Sequence, residues 1–365
     1  MLQSIDSTTW QTSGPMSDIS LSRDAGILVE EVSSIAAEVD CNSDHDSRVA
    51  IRRLASRGLL DLGLPGSSGT YSDQITVLSD LASVCMTTAF TAWSHRMTVE
   101  YLVSHGGDEG RTDDVRRARR VGSTALAGTF RAAVGVADIP VEERRSGSRR
   151  TANGFLSWAS NLHDDAVVVT GMQSVGSGDR SLIAFDICNE GVEALPVAGL
   201  LALDGSKSGA LRLSEVELDE RSTLASDFDE FIADIRPKFL LFQTAFVLGL
   251  VQGSLGAIGE LRGPARSLEG EVDDARLRLM DLRTRLEDGG SALDAGRRPD
   301  LRSCLQLRLD ASHLATRSSQ LELSVRGGSG YVAGSATARR VREALFLPVQ
   351  SPTEAQLRWE LEASL

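Results

Sequence analysis

Lysine is almost missing from this chain. Only Lys207 and Lys238 occur among its 365 residues, so nearly all of the 38 positive charges are arginine. That bias reflects a GC-rich coding sequence rather than a function. Positive charge as a whole is also short: 51 acidic residues leave a net charge of −13, which argues against the basic face that a nucleic-acid partner requires. Cysteine is scarce and scattered. Cys41, Cys85, Cys188 and Cys304 form no C-x-x-C pair, and only Cys41 has a histidine close by, His45. Neither a metal centre nor a disulfide framework is expected; free thiols in a cytoplasmic protein fit this usage. The first residues, MLQSIDSTTWQTSGPMSD, lack a basic segment followed by an apolar one, so no secretory signal is read there.

Long uncharged runs are absent but for one. Residues 239–258, FLLFQTAFVLGLVQGSLGAI, are long enough for a membrane span. Gln243, Thr244, Gln252 and Ser254 interrupt the run, and nothing else in the chain is comparable. The expectation is a helix buried on all sides within a helical bundle, with no membrane partner. A hydrophobic content of 41% and a mean hydropathy of −0.09 describe a soluble globular protein, long enough for one large core or two to three layered subdomains.

Residues up to about 118 read as helices. Residues 25–39 place Ile27, Leu28, Val32, Ile35, Ala36 and Val39 at near-helical spacing, and residues 47–57 repeat the pattern. Another helix is expected from Asp73, and a largely buried one over residues 88–103. Between residues 121 and 220 the character changes to short strand-like runs, such as Ala166-Val167-Val168-Val169-Thr170 and Leu182-Ile183-Ala184-Phe185, separated by turn residues. From Asp227 onward the chain is helical again, over the apolar run, residues 269–287 and residues 301–325. Residues 1–20 and 288–299 read as the mobile pieces.

The C-terminal stretch has an uncommon order. The turn Gly327-Gly328-Ser329-Gly330-Tyr331 leads into a segment with Arg339, Arg340 and Arg342. Pro348 and Pro352 then bracket a bend before a last helix near Thr353 and Glu354. This resembles the end of the acyl-CoA dehydrogenase superfamily, whose GG-x-G-[FY] turn precedes an R-D-A helix and a Y-E-G-T bend; the matching residues here are Arg342-Glu343-Ala344 and Gln350-Ser351-Pro352-Thr353. Three further matches fall in order. Gly154-Phe155-Leu156-Ser157-Trp158-Ala159-Ser160-Asn161 resembles G-x-K-x-W-x-[TS]-N, residues 205–219 resemble the strand leaving the β domain, and Leu248-Gly249 resembles the L-G of the long central helix. The resemblance runs from about Leu78 to the end. It implies an α+β fold: an N-terminal helical domain (1–120), a middle antiparallel β domain (121–225) and a C-terminal four-helix bundle (226–365).

The same resemblance implies FAD and a set of site residues. Trp158 would lie against the flavin ring, with the Ser160 hydroxyl on the same strand face, two residues on. A loop at Thr129-Phe130-Arg131 would meet the flavin edge. Arg266 would neutralise the pyrophosphate, Thr353 would also bind the cofactor, and the Gly327, Gly328 and Gly330 turn would serve the cofactor of a neighbouring subunit. A homodimer or homotetramer, or a heteromer with a homologue, follows from that. The family's catalytic glutamate falls on Ser351, which cannot take an α-proton from an acyl thioester without a base of its own. Glu354 would face elsewhere if Thr353 caps its helix, and residues 234–239 offer no obvious substitute. His95, on an apolar helix, lies on the helix that carries a functional histidine in flavin monooxygenases of this fold. His163, Asp164 and Asp165 read as a solvated turn. The implied function is an FAD-dependent oxidoreductase acting on an acyl thioester of CoA or a carrier protein. The alternatives are a flavin monooxygenase, or a base-less subunit beside an active homologue.

Overall fold

The computed structural model describes residues 19–363 apart from Ser226; most of the N-terminal stretch expected to be mobile lies outside these. Five helices come first: α1 (Ile19–Cys41), α2 (Arg48–Ser56), α3 (Tyr71–Val84), α4 (Met86–Ser104) and α5 (Glu109–Arg116). The start of α3 is set locally. Thr70 and Asp73 cap each other's backbone N–H groups at 3.1 and 2.8 Å. Strands β1 (Gly122–Thr124), β2 (Val141–Ser146), β3 (Arg149–Ala159), β4 (Val167–Ser174), β5 (Arg180–Asp186), β6 (Val192–Pro196), β7 (Gly209–Glu217) and β8 (Thr223–Ala225) follow, with α6 (Ala127–Ala133) between the first two. The chain then returns to helices: α7 (Phe228–Ile258), α8 (Glu269–Asp294), α9 (Leu301–Arg326), α10 (Ala336–Phe346) and α11 (Glu354–Ala363).

The eight strands form one sheet in the order β6-β7-β3-β2-β4-β5-β8, with β1 also beside β4. It is mixed rather than antiparallel throughout, because β1 and β2 both run parallel to β4. The β2–β3 hairpin returns the chain before β4 begins, which supplies the crossover that parallel neighbours need. Between Leu156 and Ala159 the pairing of β3 with β7 slips by one residue, a bulge that re-aims the side chains at Ser157 and Trp158.

Helix α7 is the centre of the molecule. It is the one helix among the described residues long and apolar enough to cross a membrane, and 83% of its apolar window is buried against the rest of the fold. Neighbours α3, α4, α8 and α9 surround it. The α3 contact is close because α7 offers glycine there: a Cβ on Gly249 or Gly253 would collide with the carbonyl oxygen of Ser79 or Ser83. Residues 288–294, expected to be mobile, instead complete α8. Gly289 and Gly290 let it approach Leu241 and Ser72, and Asp294 accepts hydrogen bonds from the Tyr71 N–H (2.6 Å) and the Ser72 hydroxyl (2.5 Å), capping α3 from the partner helix.

Candidate functional site

The end of β3 is pinned to the helices by a set of buried side chains. Ser160 leaves the strand and Asn161 follows with φ 59°, a left-handed conformation that asparagine tolerates better than most residues. Asn161 Nδ2 then donates to the carbonyls of Thr91 (2.9 Å) on α4 and Gly122 (3.0 Å) on β1. The Ser160 hydroxyl donates to Ser94 Oγ at 2.9 Å, and Ser123 Oγ donates to the Ser160 carbonyl at 2.6 Å. Ser94 Oγ also accepts from the Thr124 N–H at 3.3 Å. Strand and helix are thereby locked at one corner. Asn161 entered the sequence reading only as the last residue of the Trp158 motif, with no role of its own, and Ser94 was not read there at all.

His95 belongs to this lock. Its side chain is wholly buried, and Nδ1 accepts from the Gly122 N–H at 2.9 Å. That bond assigns the proton to Nε2, which faces the backbone of Val115 without a well-formed hydrogen bond. Burial, with Arg96 beside it, pushes the imidazole down to about 3, so it is neutral at physiological pH. With no exposed atom, it acts as a strut between α4 and β1. His163 also departs from expectation. It is buried rather than solvated, 2.9 Å from Ser47 Oγ through Nε2, while Asp164 and Asp165 bind Arg48 at 2.6 and 3.2 Å.

Trp158 stands apart from Ser160. The indole is 55% exposed and its neighbour Phe155 is 47% exposed, whereas Ser160 is buried. The expected shared face fails because the bulge and the turn at Asn161 break the period of two. Thr129 lies in α6, not in a loop. Its buried hydroxyl accepts from the Gly171 N–H at 2.9 Å, so it ties α6 to β4. Arg266 is exposed on the turn before α8 and forms no ion pair among the described residues.

The glycine turn divides. Gly327 (φ 56°) and Gly328 have open space where a Cβ would point, but a Cβ on Gly330 would press on Arg326 and Thr337. Gly330 is therefore a packing glycine, and its N–H bonds back to the Gly327 carbonyl at 3.0 Å. Tyr331 beside it is 81% exposed. The arginines of α10 are consumed internally: Arg340 Nε binds Glu322 at 2.8 Å, Arg342 binds Asp40, and Arg339 lies 3.5 Å from Glu343.

At the bend between α10 and α11, Ser351 is half-buried. Its carbonyl accepts from Gln243 Nε2 of α7 at 2.9 Å, and its hydroxyl has no partner among the described residues. Thr353 caps α11 by accepting from the Gln356 N–H at 3.3 Å. Glu354 is held by Arg358 at 2.7 Å and His313 at 3.2 Å, so it is committed away from the bend. Asp234 is likewise tied to His105 and Lys238, which together hold it at about 2 despite burial. A carboxylate so stabilised is a poor proton acceptor.

No sequence-family description matches the chain, and no curated protein is similar to it in sequence. Solved structures are nevertheless close in shape. Butyryl-CoA dehydrogenase from Megasphaera elsdenii matches with a TM-score of 0.85 at 14% identity, over 97% of this chain and 99% of that one. The glutaryl-coenzyme A dehydrogenase–glutaryl-CoA complex gives 0.85 at 15% identity, over 96% and 95%. The prolyl acyl carrier protein oxidase AnaB gives 0.82 at 14% identity, over 96% and 99%. The chain has the acyl-CoA dehydrogenase fold over nearly its whole length.

Proposed function

We propose that this chain is a flavin-dependent oxidoreductase that binds FAD and acts on an acyl thioester of CoA or a carrier protein. Fold alone does not assign chemistry; the observation that carries the reading is Trp158. A large indole left half in water has no packing reason to be there, yet it stands on a strand whose end is fixed by the Ser94, Ser160 and Asn161 bonds. An exposed aromatic face on a rigid support suits a flat heterocycle. The open backbone at Gly327 and Gly328 and the unpaired guanidinium of Arg266 suit a pyrophosphate, supplied across a dimer or tetramer contact. Ser160 would act indirectly, since its hydroxyl is already given to Ser94. When bound, FAD supplies a two-electron acceptor at the end of β3; the chain contributes the platform and the anion contacts.

The missing carboxylate at position 351 favours a second reading, a flavin monooxygenase, whose chemistry needs no α-proton base. The absorption spectrum of the purified protein tests the main proposal, followed by anaerobic addition of acyl-CoA. A yellow protein bleached by acyl-CoA supports the dehydrogenase. A yellow protein that resists bleaching, but reoxidises through a long-lived flavin–oxygen adduct, supports the oxygenase. A colourless protein that takes up no added FAD defeats both and leaves a subunit that works only beside a homologue.

A further inference from the structure

Five arginines are buried among the described residues: Arg96, Arg236, Arg308, Arg339 and Arg340. Four of them have a carboxylate within ion-pair distance, in Glu100, Glu360, Glu343 and Glu322 respectively. Arg308 of α9 has none among the described residues, although its side chain is fully enclosed. A guanidinium carries five N–H donors and stays charged in proteins. Here Nη1 donates to Ser312 Oγ and Nη2 donates to Gln350 Oε1 at 2.9 Å, while Nε is unpaired. Burial without an opposing charge pushes the group down, to about 10.

The neighbours repeat the pattern. Gln350 Nε2 and Ser351 Oγ, on the bend that Arg308 holds, are buried donors with no partner among the described residues. Gln243 fixes that bend from α7 through the Ser351 carbonyl. Three orphan donors on consecutive or hydrogen-bonded residues, with one orphan acceptor, Gln243 Oε1, on the same bend, lie beside an uncompensated positive charge, and each costs free energy unless a partner is present. A buried charge left alone is the costliest arrangement of all. The bend also reaches the surface, since Val349, next to Gln350, is 67% exposed.

We propose that Arg308, Gln350 and Ser351 form a binding site for a small monovalent anion, either a short carboxylate or a halide. The proposal does not depend on flavin binding. Its acceptor would supply the counter-charge that Glu100, Glu360 and Glu322 give to Arg96, Arg236 and Arg340.

Thermal unfolding of the full chain in sulfate buffer tests this, titrating in sodium formate, acetate or bromide at matched ionic strength. A ligand that binds only the folded state raises Tm steadily with the logarithm of its concentration above Kd. Wild type should show that rise, and the carboxylate and bromide arms then identify which source binds more tightly. Arg308→Met should lose the rise. Because that variant risks misfolding, Gln350→Glu is the companion: Oε1 of residue 350 already accepts from Arg308, so a carboxylate there supplies the counter-charge internally. Gln350→Glu should melt above wild type in sulfate alone and be indifferent to added anion. If wild type shows no anion-specific rise, or if Gln350→Glu retains it undiminished, the site does not exist.

Discussion

His95 and His163 are held neutral by burial, at about 3 and about 4, and this gives them a measurable pH signature. Each is depressed below the ordinary value of 6.5, so the unfolded chain takes up protons that the native chain refuses. Their contribution is complete above about pH 6.5 and is lost as pH falls through the folded values. Glu343 acts in the opposite sense, because burial raises it to about 7. Its contribution is complete below its ordinary 4.5 and is lost as pH rises toward 7. The test must therefore compare variants: the stability difference between wild type and His163→Asn should shrink steadily from pH 6.5 to pH 4 in urea melts. A pH-independent difference would show that His163 is not buried as a neutral ring. At Ser351, introducing the family's carboxylate by Ser351→Glu should give no gain in acyl-CoA desaturation. General-base catalysis is worth about 10²- to 10⁴-fold, so a gain of that size in an anaerobic dye-reduction assay would return the chain to ordinary dehydrogenase chemistry.

Helix α7 shows how an element is placed by what its residues leave out. Its contact with α3 is sealed by Ser79 Oγ donating to the Ala245 carbonyl at 2.9 Å and by the absence of side chains at Gly249 and Gly253. Spacing of four puts both glycines on one face, so two backbones can touch along a line. Gly249→Ala and Gly253→Ala should each destabilise by about 1–3 kcal/mol, since the obstacle is a backbone carbonyl that cannot rotate away. Gly256 is the internal control. Nothing lies within 4 Å of its Cβ direction, so Gly256→Ala should be neutral or stabilise by up to about 1 kcal/mol. Equal effects at all three positions in chemical denaturation would contradict the close α3–α7 contact.

For the whole molecule, cofactor binding and assembly are coupled in the proposed function. Trp158→Ala removes an exposed platform without opening the core, so folding should survive while FAD affinity falls by roughly tenfold, the worth of about 1.4 kcal/mol from one stacking contact. Unchanged FAD affinity in equilibrium dialysis would discard the Trp158 assignment. Gly328→Ala tests the second arm. Its Cβ points into open space within one chain, so loss of flavin together with a smaller species by light scattering would place the turn at a contact between subunits. A wild-type monomer retaining one FAD per chain would rule that arrangement out.

The sequence by itself determined the succession of helices, strands and helices, because those signals are local; it did not mark α6, read as a loop at Thr129, or the parallel pairing of β1 and β2 with β4. Apolar spacing marked α1 and α2, alternation and turn residues marked the strands, and the uncharged run with scattered polar residues marked a buried rather than membrane-spanning α7. Motif order was enough to point to the acyl-CoA dehydrogenase fold at identities where no sequence match is found. Only the tertiary structure decided what the polar residues do. Ser94 meets Ser160, Ser47 meets His163 and Arg308 meets Gln350 across 66, 116 and 42 positions, and such pairings depend on the path of the backbone between them. Trp158 and Ser160 were expected on one face because a strand alternates. One extra residue in β3 and a left-handed Asn161 broke that phase, leaving the indole in water and turning the serine into the core.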